Sequence, residues 1–139
     1  MKKTLLLTTL FAGALVVTGC GESNKVKAED LMHHRFLLVK ANGQDVSEDK
    51  AAELEFGENM NVTGKMCNRF VAKVNLENET IKGAGVGMTR MLCNDEQLDK
   101  LDGIISQLIT EGAKVTLDKD QLTLKNESNE LIYQLKDLM

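Results

Sequence analysis

Apolar and polar positions alternate with a period of two along most of this chain and switch once to a period of three to four. The switch marks the clearest element. Leu98, Leu101, Ile104, Ile105, Leu108 and Ile109 recur at helical spacing and form one apolar stripe. Asn94 is placed to cap this helix, with Gln97 three residues later in capping-box position. Gly112 supplies a residue that can take a left-handed conformation at its end. Before the helix, alternation predicts strands over 34–41, 53–56, 60–66, 70–76 and 80–84. After it come strands around 115–117, 122–124 and 131–135. The apolar places are taken by pairs such as Phe36 and Leu38, or Leu54 and Phe56, and by Phe70, Ala72, Val74 and Leu76.

Turn chemistry separates these runs. Asn42-Gly43 suits a type I′ turn, whose two central residues both need positive φ, and folds 44–46 back as a short strand. Gly57-Glu58-Asn59, Asn78-Glu79, Lys119-Asp120 and Glu127-Ser128-Asn129 serve as connections. Asp30 to His33 suits a single helical turn, Ser47 to Ala51 a loop, and Gly83, Gly85 and Gly87 a loose or bulged segment. Proline is absent throughout. The resulting expectation is an α+β domain: a curved, mostly antiparallel sheet of six to eight short strands packed around one amphipathic helix.

The first residues do not belong to that pattern. Lys2 and Lys3, then an apolar run from Leu5 to Val17 and small residues, form a secretory leader over 1–19. The run is too short and wrongly flanked for a stable membrane-spanning helix. It ends Val17-Thr18-Gly19-Cys20, which resembles a bacterial lipobox, so Cys20 is expected to take a diacylglyceryl thioether and become the first mature residue. The alternative is ordinary secretion that leaves Cys20 as an exposed thiol. Residues 20–29 are then an acylated N-terminus and flexible tether, polar from Ser23 to Glu29, and 30–139 the folded domain. Gly21 rather than Asp after the lipidated residue implies, by resemblance to enterobacterial sorting rules, the outer membrane, with the domain in the periplasm.

Charge narrows the partners. The chain carries 17 basic and 21 acidic side chains, and losing Lys2 and Lys3 leaves 15 against 21, a net charge of −6. That balance argues against a nucleic-acid partner or an electrostatic hold on anionic lipid, and leaves the lipid on Cys20 as the membrane contact. A single monomeric domain is the expectation for a mature chain of this size.

With one of three cysteines assigned to lipid, Cys67 and Cys93 are left to pair in an oxidising periplasm. Closing that loop adds ~3.5 kcal/mol in the chain-entropy account. Two free thiols and a redox pair are the alternatives, and the second lacks both C-x-x-C spacing and placement at a helix start. Arg69 and Arg90 stand beside the two cysteines, either structuring loop carbonyls or forming a small anion or ligand site. Asn68 is suited to turning or capping the loop through its side-chain oxygen, and Thr89 to a like role.

Other constellations fail to assemble. His33 and His34 are adjacent, so on a strand they point to opposite faces and cannot both reach one ion. No general base, nucleophile elbow or phosphate-cradling loop is recognisable, and Gly83 to Gly87 lacks the Lys and following helix of a phosphate loop. Met60, Met66, Met88 and Met91 are read as core fillers in an aromatic-poor chain rather than copper ligands. The acids from Asp95 to Asp102 are read as a solvated helix face. No metal, cofactor or catalytic residue is expected.

The run Gly64 to Phe70 followed by Met88-Thr89-Arg90-Met91-Leu92-Cys93 resembles the META-domain family. Further matches lie at His33 to Phe36, Phe56-Gly57-Glu58, Glu111-Gly112-Ala113 and Gln121 to Leu124, over essentially the whole mature chain. Many members carry Trp where Phe36 stands and Gly where Met66 stands, departures that concern packing and loop shape. The resemblance is nearest to the heat-inducible envelope lipoproteins of enteric bacteria, which are associated with novobiocin resistance. It implies a non-enzymatic envelope protein of the stress response. The competing expectation is a periplasmic small-ligand-binding or protein-inhibitor module using Asn68, Arg69, Thr89 and Arg90.

Overall fold

The computed structural model describes residues 25–138, so the expected leader, Cys20 and its lipid lie outside the described residues. Ten strands and two α-helices follow in the order α1 (Ala28–Leu31), β1 (His34–Ala41), β2 (Gln44–Asp45), β3 (Glu53–Phe56), β4 (Asn61–Lys65), β5 (Arg69–Glu77), β6 (Thr80–Gly83), β7 (Gly87–Met88), α2 (Glu96–Glu111), β8 (Ala113–Asp118), β9 (Gln121–Lys125) and β10 (Glu130–Leu138).

Every strand pairing is antiparallel, in the order β10-β9-β8-β6-β5-β4-β3-β1. β10 then pairs β1, from Leu131 opposite Ala41 to Leu138 opposite His34, with two register shifts along the way. That pairing corrects the expected curved sheet: the sheet closes into an eight-stranded barrel. The reason lies in β10, long enough to pair β9 with one edge and β1 with the other, which removes both open edges at once.

Turns carry the conformations their residues permit. Asn42 and Gly43 have φ of 48° and 84°, and Asn78 and Glu79 have 50° and 64°, joining β1 to β2 and β5 to β6. The Asn42 side chain also accepts from the Glu130 amide at 2.7 Å, tying the β1–β2 turn to the start of β10.

Inward alternation fills the barrel with Phe36, Leu38, Leu54, Phe56, Val62, Phe70, Val74, Leu122, Leu124, Leu131 and Tyr133, all buried. Phe36 and Phe56 meet edge to face with centroids 6.1 Å apart. Gly64 turns inward over the Phe70 ring, where a Cβ would overlap both that ring and the Glu53 carbonyl.

The helices close the mouths of the barrel. α2 lies across the mouth formed by the end of β1, the start of β3, the β4–β5 turn and the start of β10. It is tied there by Lys50 to Asp95, by Gln97 to the Asp45 carbonyl, and by Gln107 to Asn126 and Asn129. Its buried Leu101, Ile105, Leu108 and Ile109 plug the interior. The expected arrangement, a sheet wrapped on the helix, is thus replaced by a helix lying over a barrel end. α1 sits at the opposite mouth, with Leu31 fully buried and the His33 amide donating to the Phe56 carbonyl. Of the expected tether, residues 25–29 are described, and there Val26 is buried and Ala28 opens α1. The polarity of that stretch concealed one apolar side chain that docks.

Candidate functional site

The site is built at the mouth that α2 covers. Cys67 lies in the β4–β5 turn and Cys93 shortly before α2, and their sulfurs are bonded, with Cα atoms 5.9 Å apart. Asp99 lies close to this pair, but sulfurs bonded to each other are not thiolate ligands, so the cluster is not a metal site.

Beside the disulfide, the Asn68 side chain is buried, 6% exposed. Its Oδ1 accepts from the Met91 amide at 2.6 Å and from the Thr89 hydroxyl at 2.9 Å. Its Nδ2 donates to the Met91 carbonyl at 3.2 Å and to Asp102 Oδ2 at 2.8 Å. Asp102 Oδ1 in turn accepts from the amides of Cys67 and Asn68, both at 3.1 Å. Thr89 Oγ1 also accepts from the Arg69 amide at 3.2 Å. A loop with few strand bonds of its own is thereby fastened to the helix through side chains.

Glu96 and Asp99 are exposed as the expected solvated acidic face requires, but Asp102 departs from it. Leu98, Asp102, Ile105 and Ile109 fall at successive i, i+4, i+7, i+11 places, so the carboxylate occupies a slot of the buried stripe. An acid at an apolar position was the available signal. Asp95 also departs from expectation. It replaces Asn94 as the cap, its Oδ1 accepting from the Leu98 amide at 3.0 Å, and its Oδ2 lies 3.0 Å from Lys50 Nζ. The Leu98 amide and then Lys50 hold its carboxyl below the usual carboxylate range. Gln97 points to β2 and Lys50 instead of completing a capping box.

Arg69 and Arg90 are both exposed, and neither guanidinium has a hydrogen-bond or ion-pair partner among the described residues. They line different grooves. Arg69 borders one of about 520 Å³ on the outer face of β3, β4 and β5. Arg90 borders one of about 500 Å³ between the 86–92 segment and α2. Met60 and Met66 are buried and Met88 packs against the core, but Met91 is 63% exposed and is no core filler. His33 takes a positive φ before β1 and approaches Glu58 at 3.2 Å, while His34 Nδ1 lies 2.8 Å from the Met32 carbonyl.

A family model, the META domain, matches residues 29–137. The chain belongs to the META-domain family. Within it, the chain is 42% identical over its whole length to "Heat shock protein HslJ" of Escherichia coli strain K12, covering 99% of that protein. A structure solved by NMR, 46% identical, superposes with a TM-score of 0.77 over 82% of this chain and 98% of its own. A second NMR structure, from Burkholderia xenovorans, shares the fold alone: it is 18% identical, with a TM-score of 0.64 over 78% of this chain and 86% of its own. Both the sequence resemblance and the heat-shock kinship of this META chain are therefore established.

Proposed function

We propose that this chain is a non-enzymatic, lipid-anchored stress protein of the bacterial envelope, acylated on Cys20 and held at the outer membrane with its domain in the periplasm. The observation that carries the reading is the Cys67–Cys93 bridge, which persists in oxidising compartments and pairs naturally with a secretory leader ending just before Cys20. Kinship with a heat-shock protein supports the stress role. The side chains best placed for chemistry support a binding or scaffolding role: Asn68, Asp102 and Thr89 spend their polar atoms on one another and on the loop backbone.

In this reading the domain supports the permeability barrier, and a novobiocin phenotype follows from altered entry of the drug. Deleting the gene and following novobiocin uptake before and after heat stress tests it. Faster uptake in the deletion strain, restored by the wild-type gene but not by Cys20→Ala, is expected. Unchanged uptake and sensitivity in both conditions remove its basis.

A second reading, a small-ligand or inhibitor module, is favoured by the two exposed guanidiniums without acidic partners among the described residues. It requires Arg69→Ala with Arg90→Ala to abolish binding while the unfolding midpoint stays put. A fall in the midpoint with binding retained assigns the arginines to loop structure.

A further inference from the structure

We propose that the groove between the 86–92 segment and α2 takes an extended peptide segment of a partner protein, one that offers an apolar side chain and a carboxylate. β7 pairs β5 and has no second strand partner among the described residues. The Thr89 amide donates to the Arg69 carbonyl, so the alternation of an antiparallel ladder turns the backbone of Met88 and Arg90 away from β5 and toward the groove. That free edge is a template for one more strand.

The opposite wall carries an independent sign of a visitor. Gly103 lies in the interior of α2, where glycine costs about 1 kcal/mol against alanine. A Cβ there would meet nothing within 4 Å, so no close approach within this fold requires the glycine. It opens onto the groove beside Ser106, facing Val86, Met88 and Met91. A ligand backbone lying against the helix gives it a purpose. Leu92, 97% exposed, and Met91 supply an apolar rim that the domain itself leaves uncovered. Arg90, without an acidic partner among the described residues, provides the charge complement for a carboxylate.

A peptide is favoured over a lipid surface by the placement of the groove. The chain enters the domain through α1, at the opposite mouth from α2, so an anchor on Cys20 holds the far end against the membrane. Only residues 20–24 intervene before the described chain, a reach of at most about 18 Å. The choice of a peptide over a lipid surface rests on the Cys20 anchor of the proposed function. The groove itself is present whether or not Cys20 is acylated, so the vesicle arm of the test separates failure of the anchor from failure of the peptide site.

The test uses the full chain and fluorescein-labelled hexapeptides of alternating threonine and valine ending in leucine, with the terminal carboxylate free or amidated. Fluorescence anisotropy should show saturable binding tighter than about 1 mM. Hydrogen exchange should show protection gained at 86–92 and 103–106. Gly103→Leu fills the groove and improves helix propensity, so it should weaken binding at least about tenfold without lowering the unfolding midpoint. Arg90→Ala should weaken the free-carboxylate peptide several-fold and leave the amidated one unchanged.

Absence of binding at millimolar peptide, protection elsewhere, or full affinity in Gly103→Leu overturns the proposal. So does binding to anionic phospholipid vesicles that is lost in Leu92→Ser but kept in Gly103→Leu, which would make the rim a membrane contact. Self-association of the wild type that Gly103→Leu abolishes, with no peptide bound, would assign the groove to a second copy and equally overturn it.

Discussion

Asp102 accepts three hydrogen bonds from two neighbouring residues, and none of these donors has water to fall back on as freely as a surface group would. Asp102→Ala leaves the amides of Cys67 and Asn68 and the Asn68 side chain without their acceptor. Bonds to a charged group each contribute about 1.5–3 kcal/mol, and they are not additive within one network. The expected loss is about 3 kcal/mol in urea unfolding, with Asp102→Asn intermediate because one oxygen can still serve the two amides. A loss below about 0.5 kcal/mol for Asp102→Ala would mean that the loop holds its shape without the helix. Tyr133 presents the opposite case. Its hydroxyl is fully buried with no hydrogen-bond partner among the described residues, and burial alone pushes its pKa upward. A hydroxyl that has lost water and gained nothing does not stabilise the fold. Tyr133→Phe should therefore keep or raise the unfolding midpoint, and a drop of several degrees would reveal a buried water bridging it.

At the scale of the element, α2 depends on its first turn as much as on its stripe. Asp95 is a charged cap whose carboxyl is held below its usual range by the Leu98 amide and then by Lys50. A carboxyl with a depressed folded-state pKa contributes stability at all pH above the unfolded value of about 3.9. It loses that contribution as pH falls through the folded value. Asp95→Asn keeps a capping side chain but forfeits the charge. Wild type should exceed this variant in thermal midpoint at pH 6, and the gap should narrow as pH falls below the unfolded carboxyl value of about 3.9 and close once Asp95 is protonated in the folded protein. A gap that stays unchanged as acid is added would assign the difference to geometry instead of charge. The helix and most strands were legible because their apolar periods are long and clean: β1 and β3 begin and end where alternation placed them. The cap slipped by one residue because Asn94 and Asp95 are both competent caps, and only the partner Lys50 distinguishes them. Asp102 was hidden for a related reason. Periodicity reports which face a residue lies on, but not which backbone amides wait there to receive a carboxylate.

Closure belongs to the whole molecule, and nothing local announces it. β1 and β10 alternate in the same way whether they edge an open curved sheet or pair with each other, and Ala41 meets Leu131 across most of the chain. What the sequence did carry was the pair of cysteines, whose pairing links the β4–β5 turn to the approach of α2 and so fixes the lid to the barrel. The interior core is contributed by eight strands and does not run through the bridge, so the two forms of stabilisation are separable. Reducing the bridge should cost up to ~3.5 kcal/mol, the entropy regained by an unfolded chain freed of a loop of this size. For a domain of roughly a hundred residues that is a fall of up to about 15 °C in unfolding midpoint. The reduced protein should nevertheless stay folded at room temperature, with the Asn68–Asp102 bonds still holding the loop and β1–β10 amides still slow to exchange with deuterium. Rapid exchange across β1 and β10 on reduction would show that closure depends on the lid. Identical midpoints with and without reductant would show that hydrogen bonds alone hold the loop to α2.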